Sequence, residues 1–183
     1  MWCIMCNRVF DGPQVSLTEM LQARENRAAI QRQLLLSNSS AALLVVTMNI
    51  PGPVKYSQAL AQVFKEMIEY IDEQIDQSKV LVSRLCELPT GMEYYLLMDI
   101  PANQLKKQMI TLETTHPYGR LFDLDVLVWQ NDQATPISRQ TLGYPSRRCL
   151  ICEEDAKNCG RSRRHDIQQL QQKIMEIIRV GKE

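Results

Sequence analysis

Between residues 41 and 129 the spacing of apolar residues switches between a period of two and a period near 3.6, and the order of those switches narrows the fold more than any other feature. "AALLVVTMNI" (41–50) reads as a strand and is stopped by "PGP" at 51–53, where proline and glycine bar continuation. From Tyr56 to about Gln77 the period is helical, with Leu60, Val63, Phe64, Met67, Ile68, Ile71 and Ile75 recurring at three- and four-residue steps. "KVLVSRLCEL" (79–88) and "EYYLLMDI" (93–100) read as strands joined through Pro89, Thr90 and Gly91, a hairpin signal. Residues 102–114 make a second helix, with Leu105, Met109 and Leu112 on one face and Lys106 and Lys107 off it. "RLFDLDVLVW" (120–129) is a further strand. Strand, helix, strand, strand, helix, strand is the split βαβ, ferredoxin-like plan. It predicts an α+β protein with a mainly antiparallel sheet, both helices on one face, and the last strand beside the first.

The flanks add helices at both ends. "SLTE" (16–19) fits a capping box in which Ser16 caps and Glu19 reaches back. The helix that follows runs to about Leu36, with a stripe of Leu17, Met20 and Leu21 continuing onto Arg24 and Ala28, and Arg27 close by. "QNDQATP" (130–136) is a polar turn into a weaker strand at 137–142 that extends the sheet edge, and Ile167, Leu170, Ile174 and Ile178 carry a helix over about 166–180. Residues 1–183 are most simply one domain.

Composition bounds the function. Twenty-one basic residues balance 21 acidic ones, which speaks against a protein that coats nucleic acid. The longest strongly apolar run, "AALLVV", is far too short to span a bilayer, and "MWCIMCNRVF" lacks the pattern of a secretory signal. A cytoplasmic protein without membrane attachment is the expectation. There the six cysteines (Cys3, Cys6, Cys86, Cys149, Cys152 and Cys159) would be thiols or metal ligands.

The strand "HPYGRLFDLDVLVW" (116–129) holds two carboxylates, Asp123 and Asp125, where aliphatic residues would cost less. Alternation puts Leu121, Asp123, Asp125, Leu127 and Trp129 on one face and the apolar set Phe122, Leu124, Val126 and Val128 on the other, against the helices. Residues two apart on a strand face are separated by about 7 Å, so both carboxylates can converge on one Mg²⁺, leaving its other positions to phosphates and water. That is a recurring arrangement of nucleotidyl transfer. An exposed sheet face could carry the same residues as ordinary surface acids. The flanking sequence favours the functional reading: Gly119 allows close backbone approach, and Arg120 sets a guanidinium at the strand entry, suited to phosphate oxygens.

With "HPYGRLFDLDVLV", "IPGPVK" (50–55), "MLQARENRAAIQ" (20–31) and "RRCLICEEDAKNCGRSRRH" (147–165) in this order, the chain resembles the holo-citrate lyase synthase family, the apo-citrate lyase phosphoribosyl-dephospho-CoA transferases, from about residue 16 to 175. The resemblance implies a nucleotidyltransferase-like enzyme that takes 2′-(5″-triphosphoribosyl)-3′-dephospho-CoA. It would attach the phosphoribosyl-dephospho-CoA part to a serine of the citrate lyase acyl carrier (gamma) subunit and release diphosphate.

Around the acid pair, several residues have two readings each. Lys55, after the Pro-Gly-Pro turn, is a point charge for diphosphate or a solvated turn lysine. Arg24 and Arg27 clamp phosphate, or pair with Glu113 or another acid. His116 has a pKa suited to accepting the serine proton, or it packs in its loop. Glu113 is a third metal carboxylate or a helix-end acid. The segment 147–165 also divides. Cys149, Cys152, Cys159 and His165 offer four ligands in seventeen residues, enough for tetrahedral Zn²⁺, or else they are reduced thiols and a histidine. Arg147, Arg148, Lys157, Arg161, Arg163 and Arg164 outnumber Glu153, Glu154 and Asp155, so the segment could meet substrate phosphates or an acidic carrier. Two other functions compete: a nucleotidyltransferase acting on another carrier, such as that of malonate decarboxylase, and a zinc-stabilised interaction module without catalysis.

Overall fold

Ser16 and Glu19 close the expected capping box. The Ser16 hydroxyl accepts from the Glu19 amide at 3.2 Å, and the Glu19 carboxylate accepts from the Ser16 amide at 2.7 Å. Helix α1 (Leu17–Ser37) follows in this computed structural model, which describes residues 9–182. Cys3 and Cys6 lie outside the described residues. After α1 come β1 (Ala42–Met48), α2 (Gln58–Gln74), β2 (Val80–Leu88), β3 (Gly91–Met98), α3 (Ala102–Thr115), β4 (Phe122–Gln130), β5 (Gln133–Pro136), α4 (Ala156–Ser162) and α5 (Ile167–Val180). The five strands form one open sheet in the order β2-β3-β1-β4-β5, and every neighbouring pair is antiparallel.

Each face of the sheet has its own core. On one face Leu44, Val46, Tyr94, Leu96, Phe122, Leu124 and Val126 pack under α2, α3 and α5. All seven apolar residues expected on α2 are buried. On the other face Leu43, Val45, Tyr95, Leu97 and Leu127 pack against Leu35, with Ile30 and Leu34 of α1 beside them. Helices therefore cover both faces, not one. The second cover is partial: Thr47 and Asp123 stay half-buried and Asp125 exposed.

Four further expectations are corrected. The inward line of α1 runs through Ala23, Arg27, Ile30 and Leu34, while Leu17 and Leu21 are 75% and 50% exposed and Arg24 and Ala28 are also exposed. Apolar residues lie on several sides of this helix, so the docking site on the sheet, not the sequence, selects the buried line. The edge strand is Gln133–Pro136 rather than 137–142, because Asn131 and Asp132 adopt left-handed conformations (φ 52° and 59°) and reverse the chain at once. Residues 140–142 form a 3₁₀ turn. Leu121 belongs to another such turn, Gly119–Leu121, and enters the core under α3 instead of sharing the aspartates' face. Lys106 is buried, its Nζ donating to the Leu124 carbonyl at 2.8 Å. Helix α4 was not foreseen: it is short and contains Gly160. No helix among the described residues is long and apolar enough to cross a membrane.

Candidate active site

Strand register builds the polar end of the second face. Thr47 of β1 lies between Glu93 of β3 and Asp123 of β4, and Val45 lies between Tyr95 and Asp125. The two aspartates thus project on the α1 side, while the alternate residues of β4 fill the core under α2 and α3. Asp123 is half-buried and Asp125 is exposed. Asp125 keeps an open side, yet the protein packed around its carboxyl desolvates it. This effect raises its pKa, opposed by the Lys106 charge and reinforced by the Asp123 charge.

A cleft of about 210 Å³ opens beside Asp123. It brings together four residues singled out from sequence: Asp123 from the sheet, Arg24 and Arg27 from α1, and Lys55 from the segment after β1. Thr47, Asn49, Tyr56 and Thr90 complete its polar lining. Lys55 is held at the wall by donating from Nζ to the Ile50 carbonyl, and burial lowers its pKa.

Arg27 has an acid partner, but it is Glu93 and not Glu113. Its Nε and a terminal nitrogen approach one Glu93 oxygen at 2.9 and 2.7 Å, and the other oxygen accepts from the Tyr95 hydroxyl. Glu93 is 3% exposed, so this is a buried carboxylate with both oxygens engaged, paired with a guanidinium that keeps one side toward solvent. Burial, with Glu93 next to it, pushes the Tyr95 hydroxyl pKa up. Sequence reading missed Glu93 because it stands first in an apolar run and looks like a strand end. The two-residue spacing of Glu93 and Tyr95 was the available signal.

A second set of arginines ties the C-terminal segment to the acid strand. Arg147 donates to an Asp123 oxygen at 2.5 Å and to the Arg120 carbonyl at 3.2 Å. Arg120 in turn donates to the carbonyls of Arg148 and Cys149 at 2.9 and 3.0 Å. Each arginine therefore holds the other's backbone neighbourhood. Glu113, buried on α3, accepts from Arg139 at 3.1 Å and has Arg147 at 3.9 Å. Burial raises its pKa, although Arg147, Lys106 and Arg139 pull it down.

The other named residues lie elsewhere. His116 caps the end of α3, and its Nδ1 accepts from the Tyr118 amide at 3.1 Å. Its ring lies edge-on to Tyr70 at 4.7 Å and 5.5 Å from Tyr118, and burial lowers its pKa against the influence of Glu66. It does not line the cleft. Gly119 is where the turn before β4 meets the end of α3: a Cβ there would stand 2.5 Å from the Leu112 carbonyl oxygen and 2.7 Å from that of Glu113. Arg148 pairs with Glu153 on the surface, and Arg161 is exposed on α4. Cys149, Cys152, Cys159 and His165 do come together, with one donor atom from each lying within 4.8 Å of all the others, a grouping that could hold a metal ion.

Fold and cleft define an α+β protein with a polar cleft that gathers three cationic side chains and a carboxylate. Residues 15–180 match the family of apo-citrate lyase phosphoribosyl-dephospho-CoA transferases, and the chain belongs to that family of transferases. A Streptococcus pyogenes serotype M18 protein named "Probable apo-citrate lyase phosphoribosyl-dephospho-CoA transferase" is 45% identical over 95% of this chain and 91% of its own length. A Vibrio cholerae O1 protein of the same name is 38% identical over 89% of this chain and 91% of its own. The Haemophilus influenzae protein CitXG is 35% identical over 91% of this chain, which spans 36% of that longer protein.

Proposed function

We propose that this protein transfers the phosphoribosyl-dephospho-CoA group from 2′-(5″-triphosphoribosyl)-3′-dephospho-CoA to a serine of the citrate lyase acyl carrier (gamma) subunit, releasing diphosphate. The observation that carries the reading is the cleft lined together by Asp123, Arg24, Arg27 and Lys55. The names of its relatives favour citrate lyase over another carrier. In our reading the sheet is ferredoxin-like and nucleotidyltransferase-like, residues 1–183 act as one domain, and the reaction runs in the cytoplasm.

In that mechanism Lys55 and Arg24, lining the same cleft as Asp123, bind the triphosphate and draw charge toward the departing diphosphate. Arg27, already shared with Glu93, offers its outer edge. Arg147 fixes the rotamer of Asp123, and Arg120 holds the chain just after Arg147 through the Arg148 and Cys149 carbonyls. Asp123 and Asp125 are hard oxygen donors on one strand face and fit Mg²⁺. When bound, Mg²⁺ would neutralise phosphoryl charge at that face. His116 faces Tyr70 and Tyr118, so we leave the base for the carrier serine unassigned and give His116 the role of holding the turn into β4. Arg148 and Arg161, on the exposed basic segment, meet the acidic carrier. The Cys₃His group is a separate metal locus, with soft and borderline donors that suit Zn²⁺ rather than Mg²⁺.

The test is direct. Incubation with the triphosphoribosyl cofactor, Mg²⁺ and apo-carrier should increase the carrier's mass by that of the prosthetic group on one serine. A carrier of unchanged mass removes the proposal.

A further inference from the structure

Residues 147–165 are ordered around polar groups with almost no apolar core. Only Cys149 and Cys159 are buried among them and Leu150 alone reaches the main core, partly buried, while Ile151 is 38% exposed and Arg148, Arg161, Arg163 and Arg164 lie open to solvent. So small a hydrophobic contribution does not fix a lobe of this length; small lobes of this kind are held by disulfides or metal.

The backbone nevertheless follows a defined path. The Cys149 amide donates to the Glu154 carbonyl at 2.7 Å and the Ala156 amide to the Arg147 carbonyl at 2.8 Å, folding Cys149 and Cys152 into a tight knuckle. Asp155 caps α4, which presents Cys159, and Arg163 in a left-handed conformation (φ 48°) turns the chain back to His165. The Cys152 and Cys159 sulfurs stand 3.5 Å apart, and His165 Nε2 lies 3.3 Å from the Cys152 sulfur. Bonds of about 2.3 Å to sulfur and about 2.0 Å to nitrogen put the corners of a tetrahedron at about these separations. Three thiolates and one imidazole suit zinc, whereas iron–sulfur clusters generally take four thiolates. Four protein ligands leave no open position, which marks a structural ion.

We infer that a zinc ion closes this lobe and thereby sets Arg147 and Arg120 against the acid strand. The link is covalently short: Cys149 is two residues from Arg147, and its own carbonyl is one of the two that accept from Arg120. Zinc that fixes the knuckle fixes both ends of the Arg120–Arg147 clasp, and through it the Asp123 carboxylate. The zinc assignment stands on the four ligands alone. Its consequence for transfer rests on the role proposed above for Asp123.

The experiment needs no substrate. The full chain, purified under reducing conditions without added metal, is analysed for metals by inductively coupled plasma mass spectrometry and for backbone protection by hydrogen exchange. One zinc per chain is expected; the C152S/C159S variant should lose it, and C86S, on β2 away from the lobe, should keep it. Chelation of the wild type should speed exchange through 147–156 and 119–123, leave β1 and β3 unchanged, and be reversed by zinc. R147A in the zinc-loaded protein should loosen 119–123 to the same extent, and chelation should then add nothing there. Absence of stoichiometric zinc, iron in its place, a Cys152–Cys159 disulfide, or zinc retained by C152S/C159S would overturn the site. Unchanged protection at 119–123, or deprotection that spreads to β1 and β3, would overturn the coupling. None of these readouts depends on transferase activity, so failure of one proposal is told apart from failure of the other.

Discussion

Arg24 and Arg27 are three residues apart on one helix, yet their surroundings give them separate tasks. Arg27 neutralises Glu93, which is 3% exposed and would be left as an unpaired buried carboxylate by R27A. Such a loss costs about 3 kcal/mol or more, so R27A should lower the melting temperature clearly. R24A, at an exposed position, should stay within about 0.5 kcal/mol of wild type and lose activity instead. Equal melting temperatures for the two variants would refute this division. At the acid pair, D123N and D125N should each reduce transfer by about 10²-fold or more while circular dichroism and melting stay close to wild type; near-normal turnover in both would remove the pair from the mechanism. Asp125 also predicts a pH dependence. Its raised pKa means that its carboxylate is lost, on acidification, above the ordinary aspartate range of about 4. The Mg²⁺ concentration needed for half-maximal transfer should therefore rise as pH falls toward that range from above, and an unchanged requirement would contradict it.

At the scale of elements, the junction between α3 and β4 fixes the height of the acid strand. The turn at 119–121 packs on the last carbonyls of α3, and Lys106 reaches from α3 to the Leu124 carbonyl. G119A would drive a methyl group to 2.5 Å and 2.7 Å from two backbone oxygens that cannot move aside without unwinding the helix end. It should cost about 2 kcal/mol and lower transfer more than the lost stability explains, because β4 shifts relative to β1. A G119A variant with wild-type melting and turnover would show that the junction has slack. The same junction explains why periodicity misplaced Leu121: the chain enters β4 through a 3₁₀ turn, so the alternation begins one residue later than the apolar run suggests.

Over the whole molecule, the 21 basic and 21 acidic residues balance, yet four cations converge on one place. Arg24 and Arg27 of α1, Lys55 after β1 and Arg147 meet at the aspartate face. If the carrier docks by that charge, raising ionic strength should raise its KM several-fold with little change in kcat; a salt-independent KM would place docking elsewhere. Strand and helix order from β1 to β4, the cap of α1, the strand face that Asp123 and Asp125 share and the grouping of cysteines with His165 were legible in the sequence, because each follows from local periodicity or short spacing. The buried line of α1, the Arg27–Glu93 pair, the burial of Lys106 and the Arg120–Arg147 clasp were not. These join residues up to 66 positions apart, and their geometry exists only once β1 has paired with both β3 and β4 and the two faces have packed. Local chemistry selects the elements; the partner of each buried charge is decided by which strands become neighbours, since a buried ion is stabilised only by what tertiary packing sets against it.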